Sequence, residues 1–142
     1  MITLESLKNK IEYAIGVDLG GTFIKSAIID SKGEIIKAGK IEAFAKKGPE
    51  KVVGQIEKAI NNLLTGFDNK ISGIGIGAPG IVTNGIVKYP PNFKRWKEVN
   101  LKKIIHDKFN FETEVDNDAK CAGLAELLFG YGKKYKNFIF LT

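Results

Sequence analysis

The first three predicted strands follow one another with only tight turns between them, and this order limits the folds open to the chain. The strand patterns cover residues 13–18, 22–30 and 34–43. Gly20-Gly21 and Ser31-Lys32-Gly33 supply the turns, so we predict an antiparallel meander.

Helical and strand patterns alternate after the meander. Gly48-Pro49 begins a helix whose apolar residues recur at helical spacing, and Asn84-Gly85 is a strong hairpin signal. The remaining patterns are a strand at 71–77, a helix capped by Asn100, a strand at 111–115, a helix from about 118 to 129, and an apolar strand at 137–142. An all-parallel doubly wound sheet does not begin with a meander. The order predicts an α/β domain with a mixed five-stranded sheet and helices on both faces.

Composition excludes several classes of protein. Apolar residues make up 44% and charged residues 27% of the 142 residues, which is typical of a globular domain. No apolar run reaches the roughly 20 residues of a membrane span, and the first dozen residues lack the features of a signal peptide. Cys121 is the single cysteine, which excludes an internal disulfide and fits a reducing cytoplasm. We therefore expect a cytoplasmic protein with no membrane partner.

The net charge of +6 does not indicate a nucleic-acid partner. The basic residues are 21 lysines and one arginine, Arg95, scattered along the chain with acidic residues between them. Recognition of phosphate backbones or base edges usually relies on clustered arginines with aromatic residues. We expect a charged, solvated surface.

The turn between the first two strands carries the residues of a phosphate site. Gly20 and Gly21 allow positive φ and bring backbone N–H groups close to a phosphate, while Thr22 adds a hydroxyl. Asp18 adds a carboxylate able to hold Mg²⁺ directly or through water, and Lys25 a nearby cation. A plain hairpin turn needs only the glycine pair. It does not explain an aspartate at what we predict to be a buried strand end, so phosphate binding is favoured.

Gly75-Ile76-Gly77-Ala78-Pro79-Gly80 has the spacing of a dinucleotide-binding motif, which must open a helix. Here Pro79-Gly80 leads into a hairpin instead. Two interpretations stay open at about equal weight: a structural turn, and a backbone-lined wall for a small polar ligand.

Asp116, Asn117 and Asp118 follow a predicted strand and open a predicted helix. One such residue is enough for an N-cap, whereas three in a row at the carboxyl end of a strand are typical of a ligand site. A carboxylate there could accept a proton from a substrate hydroxyl, with a neighbouring amide orienting that hydroxyl. By contrast, we expect His106 to be solvated, Trp96 to anchor its loop, and no zinc site.

Several segments together carry a family resemblance. They are IGVDLGGTFIKSAIID, IGIGAPGIV, YPPNFKRW followed by VNL, and VDNDAKCAGLAE. In order and spacing they resemble the ROK family of repressors, open reading frames and kinases, and its bacterial glucokinase branch in particular. The resemblance covers nearly the whole chain from about residue 13. It implies an actin-like, ribonuclease-H-type fold and an ATP-dependent sugar kinase that uses ATP and Mg²⁺.

The resemblance also implies roles by position. The set for ATP and Mg²⁺ consists of Asp18, Gly20, Gly21, Thr22 and Lys25. Gly80 and Asn117 match sugar-binding residues, and Asp118 matches the catalytic base. Asn92, in the PPNF segment, is a further candidate for the sugar pocket.

Kinases of this family carry a second lobe, so the resemblance implies that the chain is an N-terminal part. We expect residues 1–12 to be an extension, 13–136 the N-terminal lobe, and 137–142 the first strand of the second lobe. The chain alone is expected to be nearly inactive and to self-associate, and the native protein to be a homo-oligomer. Glucose is the favoured substrate, with other hexoses open. The alternative is a ROK-type sugar-sensing regulator or a non-catalytic binding domain, although twelve residues are too few for a DNA-binding helix-turn-helix.

Overall fold

The computed structural model describes residues 12–142. The strands are β1 (Tyr13–Leu19), β2 (Phe23–Ile29), β3 (Ile35–Glu42), β4 (Ile71–Ala78), β5 (Ile81–Thr83), β6 (Ile86–Lys88), β7 (Glu98–Asn100) and β8 (Thr113–Asn117). The helices are α1 (Pro49–Leu64), α2 (Leu101–Phe109) and α3 (Asp118–Phe129), with short 3₁₀ turns at Ala45–Lys47 and Tyr131–Lys134. The predicted extension at 1–12 lies outside the described residues except for its last residue.

The main sheet has five strands in the order β3-β2-β1-β4-β8. The first three strands pair antiparallel, whereas β1 with β4 and β4 with β8 pair parallel. The predicted meander and mixed five-stranded sheet are confirmed. Strands β5, β6 and β7 form a separate small antiparallel sheet.

Alternation along β1 decides what each face of the sheet carries. Ile15, Val17 and Leu19 are buried in the core together with the apolar face of α1. An ion pair of 3.4 Å between Lys108 of α2 and Glu57 of α1 shows that α2 lies on this face too. Helix α3 covers the opposite face, so the sheet carries helices on both sides.

Local signals predicted the helix starts and the hairpin correctly. Helix α1 begins at Pro49, and the Asn100 side chain caps α2 by accepting from the backbone N–H of Lys103 at 3.0 Å. Asn84 and Gly85 have φ of 51° and 78°, the two positive values that a type I′ turn requires.

Strand β8 begins two residues later than predicted. The sequence favoured 111–115 because of its apolar residues, but the Thr113 hydroxyl donates to the Phe111 carbonyl at 2.9 Å, and pairing with β4 starts only at Thr113. The strand therefore runs on through Asn117. Helix α3 begins at the next residue, which places three polar residues at the junction.

Residues 137–142, predicted as a strand, pair with no strand in the part of the chain that the structure describes. Ile139 and Leu141 are 85% and 87% exposed, and Phe140 lies against Gly123 of α3. An apolar pattern can favour a strand, but only a free strand edge can pair with it. The assignment of these residues to a second lobe stays a prediction.

The structure also tests the predictions for Trp96 and His106. Trp96 is buried, and its indole N–H donates to the Val87 carbonyl at 3.0 Å, so it anchors its loop as predicted. His106 is not simply solvated, because it is half-buried and its Nδ1 donates to the Phe111 carbonyl at 2.8 Å. Between residues 12 and 142, no helix is long and apolar enough to cross a bilayer.

Candidate functional site

Residues distant in the sequence form one row across the face of the sheet that α3 covers. Asp18 of β1 pairs with Lys25 of β2 on one side and with Gly77 of β4 on the other, and Gly77 pairs in turn with Asp116 of β8. Paired residues on neighbouring strands point to the same face. The strand registers therefore bring residues from three motifs together.

An open cleft of about 1320 Å³ lies between this face and α3. Gly16 and Gly75 form part of its floor, and a Cβ added to either would meet no other atom within 4 Å. Asp18, Lys25 and Asp118 all line the cleft. The phosphate-turn carboxylate and the proposed base thus face the same space.

The Asp18 side chain is exposed, which corrects the premise of a buried strand end. Its neighbours Val17 and Leu19 are buried because they point to the core face, so alternation turns Asp18 toward the cleft. An exposed carboxylate on the cleft wall remains able to bind a cation.

The glycine turn does not use positive φ, contrary to our prediction, and of its two glycines only Gly20 is required for space. Neither Gly20 nor Gly21 is in the left-handed region. The N–H of Gly20 lies 3.1 Å from the Phe23 carbonyl, and a Cβ on Gly20 would lie only 2.7 Å from that oxygen. Thr22 is exposed at the tip, and its carbonyl accepts from Ala43 N–H at 2.9 Å. The turn is a tight bend on the rim of the site.

The Asn117 side chain joins the Gly80 turn to the start of α3. Its Nδ2 donates to the Gly80 carbonyl at 3.1 Å, and its Oδ1 accepts from the N–H groups of Ala119 and Lys120 at 3.1 and 3.2 Å. A side-chain amide has two N–H donors and one acceptor oxygen with two lone pairs. One N–H of Asn117 is therefore left for a ligand.

Asp118 is the first residue of α3 and is half-buried. One carboxylate oxygen accepts from Ala119 N–H at 2.8 Å, and the N-terminus of a helix stabilises a negative charge. Gly77 beneath it permits the close approach, because a Cβ there would lie 3.4 Å from the Asp118 Cα. The remaining oxygen positions can accept a proton from the cleft.

Asn92 stands apart from the other proposed sugar residues. It is exposed with φ of 68°, and its Cβ lies 3.9 Å from the position of a Cβ on Gly21. It lines a small separate depression with Lys46, Phe93 and Lys94. The structure thus brings Asn92 to the glycine turn and not to the cleft that holds Asp118.

Cys121 is a cleft residue that sequence analysis did not assign to the site. Its Sγ lies 3.7 Å from the position of a Cβ on Gly77, between the sheet and α3. Burial, together with the carboxylates of Asp116, Asp118 and Asp18, raises the pKa of the Cys121 thiol. The only sequence signal was its position three residues after Asp118, which places it on the same side of the helix.

A metal ion in this cleft would need coordinating atoms from a bound molecule as well as from the protein. Among residues 12–142, no three His, Cys, Asp or Glu side chains converge to coordinate an ion. Magnesium in nucleotide sites is commonly bound by one or two carboxylates plus phosphate oxygens. Exposed Asp18 fits that manner of binding.

Comparison with known proteins identifies the family. A model described as the ROK family matches residues 14–142. The chain belongs to the ROK family. This ROK chain is 32% identical over 130 residues to a glucokinase from Thermotoga maritima, a match that covers 90% of the chain and 40% of that protein. It is 29% identical over 137 residues to a xylose repressor from Bacillus spizizenii, with coverage of 94% and 35%.

A solved structure supports the fold of this ROK chain directly. A ROK family glucokinase from Streptomyces griseus, in complex with glucose and AMPPNP, superposes with a TM-score of 0.76 at 30% identity, over 84% of this chain and 38% of that one. The predicted actin-like fold is confirmed. The chain spans 40% of the length of the Thermotoga maritima relative.

Proposed function

We propose that this chain is the N-terminal part of an ATP-dependent sugar kinase, with glucose as the favoured substrate. The observation that carries the proposal is the common cleft lined by Asp18 and Asp118, which belong to motifs at opposite ends of the domain. The proteins that it resembles include two glucokinases, one of them solved with glucose and AMPPNP. We further propose a cytoplasmic location and a homo-oligomeric parent.

In the proposed reaction, Asp118 accepts the proton of a sugar hydroxyl, in glucose the 6-hydroxyl. The hydroxyl oxygen forms a bond to the γ-phosphorus of ATP, the bond from that phosphorus to the bridging oxygen breaks, and ADP leaves with the electron pair. Phosphoryl transfer depends mainly on positioning and on charge stabilisation. The free N–H of Asn117 and the Gly80 turn would position the sugar beside Asp118.

The glycine turn would hold the phosphate chain of ATP. Gly21 and Thr22 would offer backbone N–H groups and a hydroxyl, and Lys25 a cation on the cleft wall. The N–H of Gly20 bonds within the turn, so Gly20 would serve by keeping the bend tight beside the phosphates. Asp18 would hold Mg²⁺, directly or through water, and the bound ion would offset phosphate charge. Asn92, which lies against Gly21, would contact the sugar from the side of the glycine turn.

Replacement of the proposed base tests this function. In the complete gene product, we expect Asp118→Asn to lower kcat by roughly 10²–10⁴-fold while sugar binding persists. Asp68→Asn, in the exposed loop after α1, removes the same charge and should leave kcat unchanged. A coupled ADP-release assay and calorimetric glucose binding give the two measurements. Near-normal turnover of Asp118→Asn would remove Asp118 from this role.

A sugar-sensing regulator is the second candidate, because the chain also resembles a xylose repressor. A regulator would bind sugar without transferring phosphate. Glucose binding by the unaltered complete protein, with no ADP release above a blank in the presence of MgATP, would favour the regulator over the kinase.

A further inference from the structure

Two lysines stand directly opposite each other on the cleft face of the sheet. Lys40 of β3 pairs with Lys25 of β2, and both side chains are exposed and line the cleft. Like charges at directly opposed positions destabilise a strand pair. None of the ion pairs within residues 12–142 involves either lysine. Within these residues, no carboxylate oxygen therefore lies within 4 Å of either ammonium group, although Asp18 stands opposite Lys25 on β1.

An aromatic ring holds the Lys40 ammonium beside the glycine turn. The Nζ of Lys40 lies 4.0 Å from the centroid of the Phe23 ring. Phe23 directly follows Thr22 at the turn, and the residue is 42% exposed. A cation over an aromatic face is attracted by the ring quadrupole, so this contact favours one position of a long, flexible side chain.

The charges are ordered along the row. From β3 to β8, the paired positions are Lys40, Lys25, Asp18, Gly77 and Asp116. Two lysines thus lie at the β2–β3 side, whereas at the β8 side Asp116 is paired with Lys120 at 3.6 Å and Asp118 begins α3. A polyanion would be attracted most strongly to the β2–β3 side.

We propose that Lys40 is a further phosphate-binding residue, which with Lys25 forms a pair of cations that contacts the phosphate chain of the donor. This inference rests on the proposed kinase function, because it assigns the same cleft a polyphosphate ligand. The ligand class is a linear chain of two or more phosphates. A nucleoside monophosphate has a single phosphate group and therefore offers less charge to the two ammonium groups than a chain of phosphates.

The test measures binding of ATP, inorganic tripolyphosphate and AMP to the complete gene product by calorimetry. We expect Lys40→Gln to weaken ATP and tripolyphosphate binding about fivefold, as expected for one exposed charge contact, and AMP binding less than twofold. Lys40→Arg, which keeps the charge, should stay near the unaltered protein. Phe23→Leu should lower tripolyphosphate affinity about twofold because the ammonium loses its support.

Lys58→Gln is the matched control, because it removes one exposed lysine from α1 on the other face of the sheet. Lys25→Gln separates the two proposals. If Lys25→Gln weakens ATP binding and Lys40→Gln behaves like Lys58→Gln, the role of Lys40 is wrong while the kinase proposal stands. If the unaltered protein binds neither ATP nor tripolyphosphate, both proposals fail. Equal losses for AMP and tripolyphosphate would also overturn the role of Lys40.

Discussion

Gly80 meets two constraints at one position. Its φ is 87°, in the region that L side chains rarely adopt, and a Cβ would lie 2.9 Å from both the Lys88 carbonyl oxygen and the Pro90 Cα. Its own carbonyl accepts from Asn117. A side chain here would thus strain the turn and also disturb the hydrogen bond from Asn117, the residue that caps α3.

We expect Gly80→Ala to lower the free energy of unfolding by about 2–4 kcal/mol, because left-handed backbone and a steric clash both oppose the methyl group. Gly54→Ala is the opposite case. Gly54 is exposed within α1, no atom lies within 4 Å of an added Cβ, and alanine should stabilise by roughly 0.5–1 kcal/mol. Urea unfolding followed by circular dichroism measures both changes, and equal effects of the two variants would contradict this account of Gly80.

At the scale of the element, the contact between the start of α3 and β4 determines which charges surround the Cys121 thiol. Gly77 lets α3 approach the sheet, and Cys121 then lies among carboxylates of β1, β8 and α3. Burial is the larger cause of the raised pKa, and the carboxylates add to it. The thiol is therefore protonated at neutral pH and is not a nucleophile of the proposed reaction.

The pH dependence of alkylation tests this packing. Only the thiolate reacts, so a raised pKa moves the midpoint of the iodoacetamide rate profile to a pH above that of a free cysteine peptide. At pH 8 the rate constant should therefore be below that of the peptide, because a smaller fraction of the Cys121 thiol is ionised. Asp116→Asn removes one carboxylate and should lower the midpoint.

The control for this measurement is Asp107→Asn on α2, which lies on the other face of the sheet. Its profile should match that of the unaltered chain. A midpoint at or below that of the free peptide would show that Cys121 is not held between α3 and the sheet.

At the scale of the whole molecule, apolar surface is concentrated on α3 and the segment after it. Leu124 and Leu128 are 55% and 51% exposed, and Ile139 and Leu141 more so. Contiguous exposed apolar surface of this kind favours association. The other face of the sheet is covered by α1 and α2, which bury its apolar side chains.

We expect the 142-residue chain to self-associate, with a mass by light scattering that rises with concentration above that of one chain. Ile139→Lys combined with Leu141→Lys should shift the mass toward that of one chain, since charged side chains resist burial. Ile81→Lys, which alters an apolar position on the β5–β6 hairpin that is 64% exposed, should leave the mass unchanged. A single-chain mass at high concentration would contradict the prediction.

Most elements were predictable because their signals are local. Pro49, Asn100 and Asn84-Gly85 each fix a helix start or a turn through their own backbone or side-chain chemistry, and the structure confirms all three. The predicted start of β8 was wrong because pairing depends on a partner strand, which is not a property of the segment itself. The strand at 137–142 stays a prediction for the same reason, since its proposed partner would belong to a second lobe.

Some features of the candidate site were likewise predictable from local sequence, and others were not. The sequence by itself determined which side chains are present at the ends of strands, because the turn and cap positions around Asp18 and Asp118 depend on near neighbours. Only the tertiary structure decided that Asp18, Lys25 and Asp118 face one cleft, that Lys40 stands opposite Lys25, and that Cys121 lies among the carboxylates. The physical reason is that strand register and the closeness of α3 arise from packing between segments far apart in the chain, and no local pattern encodes that packing.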